Sequence, residues 1–214
     1  MKYIILADSK NDSFDTPRQL TNINGEPLVA RTIRLLKENG VKDIIITSHD
    51  ERFDNLGAKR YEPKHNNYNN GNGYWLDAFT IELMNEPICF IWGDVYFSEN
   101  AIKTIVETQT NSTLFFCSYK NNSPKYIKLH DEPLAYKVVD YNLFINAINE
   151  VKRLRDENVC CREPIVWEVY RIINGIWVNE HTMTNNYIAI NDESCDIDCI
   201  EDIELLKKVV ENND

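Results

Sequence analysis

Three short segments carry the side chains best placed to do chemistry. Asp196-Ile197-Asp198 sets two carboxylates at i and i+2. In an extended segment these point the same way, so both can face one cation. The bland alternative is an acidic helix start, which the macrodipole favours, and Glu201 and Asp202 just beyond suit that role. Gly93-Asp94 follows an apolar run, so Asp94 sits at the carboxyl end of a buried strand. An aspartate there either reaches a metal ion or caps a turn. The third segment, residues 8–20, is a polar loop holding Lys10, Pro17 and Arg18. Loops that cradle phosphate normally use glycines, so that backbone N–H groups approach the oxygens. Residues 8–20 contain none, and alone they read as a solvated turn.

These segments need elements to hold them. Residues 2–7 (KYIILA) are a short apolar run that reads as a buried strand. Residues 28–39 (LVARTIRLLKEN) have apolar positions near helical spacing, with Pro27 before the first turn and Gly40 after the last. Residues 41–47 (VKDIIIT) read as a second buried strand. Strand, helix, strand is a βαβ unit, which implies a parallel sheet and a right-handed crossover. Further on, the pattern predicts a polar loop over 61–73, a helix over 74–84 and a strand over 87–92. A helix capped by Ser98 and a strand over 112–119 follow. Two hairpin-like segments around 126–139, helices over 141–157 and 164–173, a short strand over 187–190 and a terminal helix over 201–212 complete the reading. The alternation predicts a single α/β domain over 1–214, with a mostly parallel sheet flanked by helices. In such sheets ligands bind beyond the carboxyl ends of the strands, where residues 8–20 and Gly93-Asp94 would lie.

Composition narrows the partners. The 214 residues hold 23 basic and 34 acidic side chains, a net charge of -11. That balance disfavours nucleic acid and anionic membrane surfaces as partners. It leaves a phosphorylated ligand open, because a divalent metal can stand between carboxylates and phosphate oxygens. No apolar run approaches the roughly 20 residues of a membrane-spanning helix, and Met1-Lys2 leads at once into a strand rather than a secretory signal. Six cysteines without a CxxC pair read as reduced thiols, which points to the cytoplasm.

Taken in order, the segments resemble the nucleotidyltransferases with a GT-A-like fold, the sugar-phosphate nucleotidyltransferases and CMP-sugar synthetases. The carrying stretches are IILADSKNDSFDTPRQLTNINGEPLVARTIRLLKENGVKDIIIT, then WGDVYFS, then DIDCIEDIELLKKV. They resemble the family's opening strand, loop and G-x-P-L-[IV] helix entry, its Gly-Asp metal motif, and its closing DIDTPEDL-type motif. The resemblance spans almost the whole chain. It departs in the first loop, where Asp8-Ser9-Lys10-Asn11-Asp12-Ser13 replaces Ala-Gly-x-Gly-x-Arg.

The resemblance implies a nucleotide-diphospho-sugar transferase-like (Rossmann-like) fold and a Mg²⁺-dependent transfer. A phosphate oxygen of the acceptor would attack the α-phosphate of a nucleoside triphosphate, with CTP the first expectation. Asp94 and Asp198 would ligate Mg²⁺, with Asp196 a further ligand. Arg18 would take the place of the family's phosphate-contacting lysine, and Lys10 that of its missing arginine. Leu6, Ala7, Asp8, Ser9, Asp77 and Gly93 would line the nucleotide. Glu168 and Arg171 would face the second substrate, although their i, i+3 spacing also reads as a plain ion pair. The acceptor would be a sugar phosphate, another phosphorylated alcohol or a phosphorylated amino acid, and the product would serve surface polysaccharide. A homo-oligomer is left open. Two other readings stand beside this one: a GT-A glycosyltransferase using a nucleotide sugar, and an inactive relative that binds a metabolite or protein.

Overall fold

The isoleucine runs organise the molecule. In the computed structural model, which describes residues 1–8, 14–64, 74–118 and 131–211, β1 (Lys2–Leu6) is solvent-free at Ile4 and Ile5. Burying one such side chain fully contributes about 1.5–3 kcal/mol, so strands of this composition are stable only when covered on both faces. A short ribbon of β2 (Asn22–Ile23) and β3 (Glu26–Pro27) leads into α1 (Leu28–Glu38). That helix buries Leu28, Val29, Ile33, Leu35 and Leu36 on one side. It ends on Gly40 at φ +82°, with Gly40 N–H donating to Lys37 O (2.9 Å) and Val41 N–H to Leu36 O (3.0 Å). This left-handed cap satisfies the last carbonyls and turns the chain back into the sheet at β4 (Ile44–Thr47).

After β5 (Lys59–Tyr61) and β6 (Ile88–Trp92), the two-residue strand β7 (Val95–Tyr96) precedes α2 (Glu99–Glu107). Ser98 caps α2 as expected, its Oγ accepting from Ala101 N–H at 2.9 Å. Then come β8 (Leu114–Ser118), β9 (Glu132–Val138), α3 (Tyr141–Asp156), α4 (Val166–Ile173), β10 (Tyr187–Ala189), β11 (Cys195–Asp196) and α5 (Ile200–Glu211).

The sheet order is β10-β8-β9-β6-β1-β4-β5, parallel throughout except for β9. The mostly parallel α/β architecture is therefore as the sequence predicts. The chain moves from β1 outward to β4 and β5, then returns to place β6 on the other side of β1. That reversal opens a crevice at the carboxyl ends of the central strands. A second ribbon, β11 against β7, brings the C-terminal acidic segment to the same place. No helix among the described residues is long and apolar enough to cross a membrane.

Two expectations are corrected. The segment over 74–84 is no α-helix but two 3₁₀ turns, Trp75–Phe79 and Ile81–Leu83. Thr80 between them lies in the left-handed region, φ 46° and ψ 59°, which interrupts any continuous helical ladder. The described part of 126–139 is not hairpin-like, since β9 is one seven-residue strand between β6 and β8. Pro133 and Lys137 disguise it in sequence. Lys137 is buried, yet its Nζ donates to Val106 O (3.2 Å) and Thr108 O (2.7 Å), where α2 ends. Burial pushes its pKa down, while the carbonyls at the helix end give the ammonium its partners.

Candidate active site

A cavity of about 300 Å³ opens where Leu6 ends β1, Thr47 ends β4 and Trp92 ends β6. Because β9 runs antiparallel, its first residues lie at this same edge and contribute Glu132 and Pro133, with Asp131 just before them. Asp8, Arg18, Asp94, Asp196 and Asp198 complete the polar side. Trp75, Trp92 and Trp167 supply an aromatic side. Trp75 and Trp92 stack with centroids 6.4 Å apart and ring planes 22° apart.

The polar side is built around Arg18. Its Nη2 lies 2.6 Å from Asp94 Oδ2, and its Nη1 pairs with Asp198 Oδ1 and donates to Ile197 O at 3.3 Å. The side chains of Arg18 and Asp94 are 15% and 5% exposed, so water does little to weaken this pair. Ile197 N–H donates to Asp94 O (3.1 Å), which locks the C-terminal acidic segment against the β6 loop. One carboxylate oxygen from each of Glu132, Asp196 and Asp198 lies within 4.8 Å of the others. Burial raises the pKa of Asp94, and Arg18 offsets this only in part. Burial, then the carboxylates of Asp94 and Asp198, push Asp196 well above the usual range. Burial alone would lower the Arg18 guanidinium, but Asp94, Asp196 and Asp198 outweigh it and raise it. The carboxylates of Glu132, Asp196 and Asp198 are placed so that they could hold one cation, and oxygen-only donors are of the kind that suits Mg²⁺.

The structure gathers most of the sequence-derived candidates and sets others apart. Leu6, Asp8, Arg18, Asp94, Asp196 and Asp198 line one cavity. Asp8 is tied to the loop after β4, accepting from His49 N–H (2.9 Å) and meeting His49 Nδ1 (2.8 Å). Ala7 is buried, with its N–H donating to Thr47 O at 3.1 Å. Gly93 lies beneath the cavity: a Cβ there would stand 2.6 Å from Leu6 O, so only glycine lets β6 and β1 meet at this point. Ser9 and Lys10 lie outside the described residues. Asp77 is not among the lining residues; it pairs with Lys152, and its neighbours Trp75 and Ala78 face the cavity instead.

Glu168 and Arg171 are also absent from the lining, at 2% and 5% exposure. They form the i, i+3 ion pair, Arg171 Nη1 to Glu168 Oε1 at 2.8 Å. Glu168 also holds Arg162, which does line the cavity. Sequence reasoning missed Arg162, Asp131, Glu132 and the three tryptophans. Of these only Trp92 lies in a quoted motif, at the head of WGDVYFS, and four separate stretches of chain deliver them.

Comparison with known proteins follows the same line. No family model matches the chain. A choline-phosphate cytidylyltransferase from Streptococcus pneumoniae is 31% identical over 152 residues, which make up 65% of this chain and 62% of that protein. Among solved structures, a glucose-1-phosphate thymidylyltransferase from Bacillus anthracis superposes with a TM-score of 0.63 at 15% identity, covering 99% of this chain and 95% of that one. The inositol-1-phosphate CTP transferase of T. maritima gives 0.61 at 15% identity, covering 98% and 96%. The CTP:phosphocholine cytidylyltransferase of Streptococcus pneumoniae gives 0.57 at 17%, covering 98% of each chain. This chain has the GT-A-like nucleotidyltransferase fold. Within that fold, its cavity carries carboxylates and one arginine clamp where the sheet reverses direction.

Proposed function

We propose that the protein is a Mg²⁺-dependent cytidylyltransferase that joins CMP to a phosphorylated alcohol with a cationic head, releasing pyrophosphate. The observation that carries this reading is the pairing of two walls in one cavity. One wall is the carboxylate group of Asp94, Asp196, Asp198 and Glu132; the other is Trp75, Trp92 and Trp167. Aromatic faces attract a quaternary ammonium, and neighbouring carboxylates such as Asp131 and Glu132 add to that attraction. The names of the similar proteins, which act on CTP and phosphocholine or inositol phosphate, support the same class.

In this reading an acceptor phosphate oxygen attacks the α-phosphorus of CTP. A new P–O bond forms, the bond to the β-phosphate breaks, and pyrophosphate carries away the charge. Mg²⁺ held by Asp94 and Asp198, with Asp196 and Glu132 beside them, would neutralise charge on the phosphates. The protein's share is positioning and electrostatics, which dominate phosphoryl transfer. Arg18, paired with Asp94 and Asp198, would present its charge to the triphosphate, and Lys10 is proposed as a second phosphate contact. Leu6, Ala7 and Asp8, at the end of β1, would border the nucleotide, and Ser9 is proposed to join them. Free thiols at all six cysteines suit work in the cytoplasm, where the product would feed a surface decoration.

A pyrophosphate-release screen tests the reading. CTP, UTP, GTP and ATP are each offered with Mg²⁺ and phosphocholine, phosphoethanolamine or glucose 1-phosphate. CTP with phosphocholine is expected to give the fastest release, abolished by Asp94→Asn. Release with no pair, or equal release in the variant, overturns it.

A further inference from the structure

We infer that Arg162 grips the phosphate of the acceptor, and that Glu168 and Arg171 act through it as positioning residues. The inference rests on the cytidylyltransferase reading above and names the group that would hold its second substrate.

The argument begins with charge. Two cations line the cavity among the described residues, Arg18 and Arg162. Arg18 is committed to Asp94 and Asp198. Arg162 is held from behind: its Nε and Nη2 both donate to one oxygen, Glu168 Oε1, at 3.1 and 3.0 Å. Its Nη1 has no hydrogen-bond partner among the described residues, and its side chain stays 43% exposed. The guanidinium therefore has one anchored edge and one edge left for a ligand.

Glu168 is a built mount rather than a chance neighbour. Its side chain is 2% exposed at the first turn of α4. Oε2 accepts from Ile165 N–H at 2.8 Å, which caps the helix. Oε1 also accepts from Arg171 Nη1 at 2.8 Å, and Arg171 is fixed in turn by Val178 O (2.9 Å) and the His181 ring (3.1 Å). One buried carboxylate thus serves two guanidiniums, which leaves a positive charge uncompensated within the group. Such a surplus is satisfied by an anion, and the exposed half of it is Arg162. Ile165 and Trp167, from the same turn, line the cavity beside it. A phosphate bound there would share one cavity with the tryptophans, which suit a cationic head, and with the carboxylates that would hold metal. Arginine's planar fork suits this geometry, two donors to Glu168 and the remainder to phosphate.

Steady-state kinetics of the full chain with CTP, Mg²⁺ and phosphocholine provide the test. Arg162→Met is expected to raise KM for phosphocholine about 10- to 100-fold, the loss of one charge-assisted contact. KM for CTP and kcat should stay within about threefold, as when an interaction common to ground and transition states is removed. Arg162→Lys should recover part of the loss, because it keeps the charge but not the fork. Glu168→Gln should raise the phosphocholine KM in the native background and add nothing in the Arg162→Met background. Should Glu168→Gln not fold, Arg162→Lys and Arg162→Met carry the test alone. An unchanged phosphocholine KM in Arg162→Met overturns the inference while leaving the cytidylyltransferase reading standing. Equal Glu168→Gln effects in both backgrounds overturn the positioning role. If the native chain turns over no phosphorylated acceptor, reading and inference fall together.

Discussion

Replacing Arg18 with methionine isolates what the clamp does for folding. The change keeps side-chain length and removes a cation wedged between Asp94, at 2.6 Å, and Asp198. Asp94 is a buried carboxylate and Asp196 a half-buried one, and both lose a favourable charge. Removing one partner of a buried pair costs about 3–5 kcal/mol. For a domain near 200 residues each kcal/mol shifts Tm by about 2–4 °C, so the variant should melt about 6–20 °C lower near neutral pH.

The pH dependence has a definite sign. Asp94 and Asp196 have folded pKa values above their ordinary ones. Their protonated forms are favoured in the fold, so this contribution is complete below the ordinary carboxylate range and lost as pH rises through the folded values. Without Arg18 those values climb further, so the loss is larger at neutral pH and fades as pH falls toward about 4, near the ordinary carboxylate value. In the proposed reading Mg²⁺ would supply the missing positive charge. It should therefore raise Tm more in Arg18→Met than in the native chain, where Arg18 competes for the same oxygens. Calorimetry from pH 4 to 8, with and without Mg²⁺, reads both effects. A variant melting within about 2 °C of the native chain, or a deficit independent of pH, refutes the clamp as a buried electrostatic element.

Three other outcomes follow from single contacts. Gly93→Ala sets a Cβ 2.6 Å from Leu6 O and must part β6 from β1, so a loss beyond about 2 kcal/mol is expected in urea unfolding. Ser98→Ala removes the α2 cap and the 2.7 Å hydrogen bond from Ser98 Oγ to Asp192; about 1–2 kcal/mol should disappear, visible as a Tm lower by about 2–8 °C. Burial pushes the Cys89 thiol up to about 12, so at pH 8–9 a thiol reagent should label exposed Cys161 promptly and Cys89 only on unfolding.

How much of this was legible depends on how locally each feature is encoded. The β1–α1–β4 unit was readable because isoleucine runs, Pro27 and Gly40 mark its limits within the segment itself. Asp94, Asp196 and Asp198 were readable because strand ends and i, i+2 spacing confine where carboxylates can point. The segment over 74–84 misled because Leu76 and Phe79 are buried and Trp75 half-buried at near-helical spacing while Thr80 turns left-handed, a choice imposed by tertiary packing. β9 misled because Lys137 looks like a solvent residue until the α2 carbonyls are in place.

The aromatic side of the cavity was the least legible, and for a physical reason. Trp75, Trp92, Glu132 and Arg162 share a cavity only after the sheet reverses at β1 and β9 inserts antiparallel. No spacing in the chain records that meeting. Glu168 and Arg171 were set beside the second substrate by the family resemblance, while their i, i+3 spacing read as the ion pair that the structure contains. Folding buries them, and their chemistry reaches the cavity one residue removed, through Arg162. Burial thus decides which member of an ionic group faces the cavity, and neither charge pattern nor spacing records that.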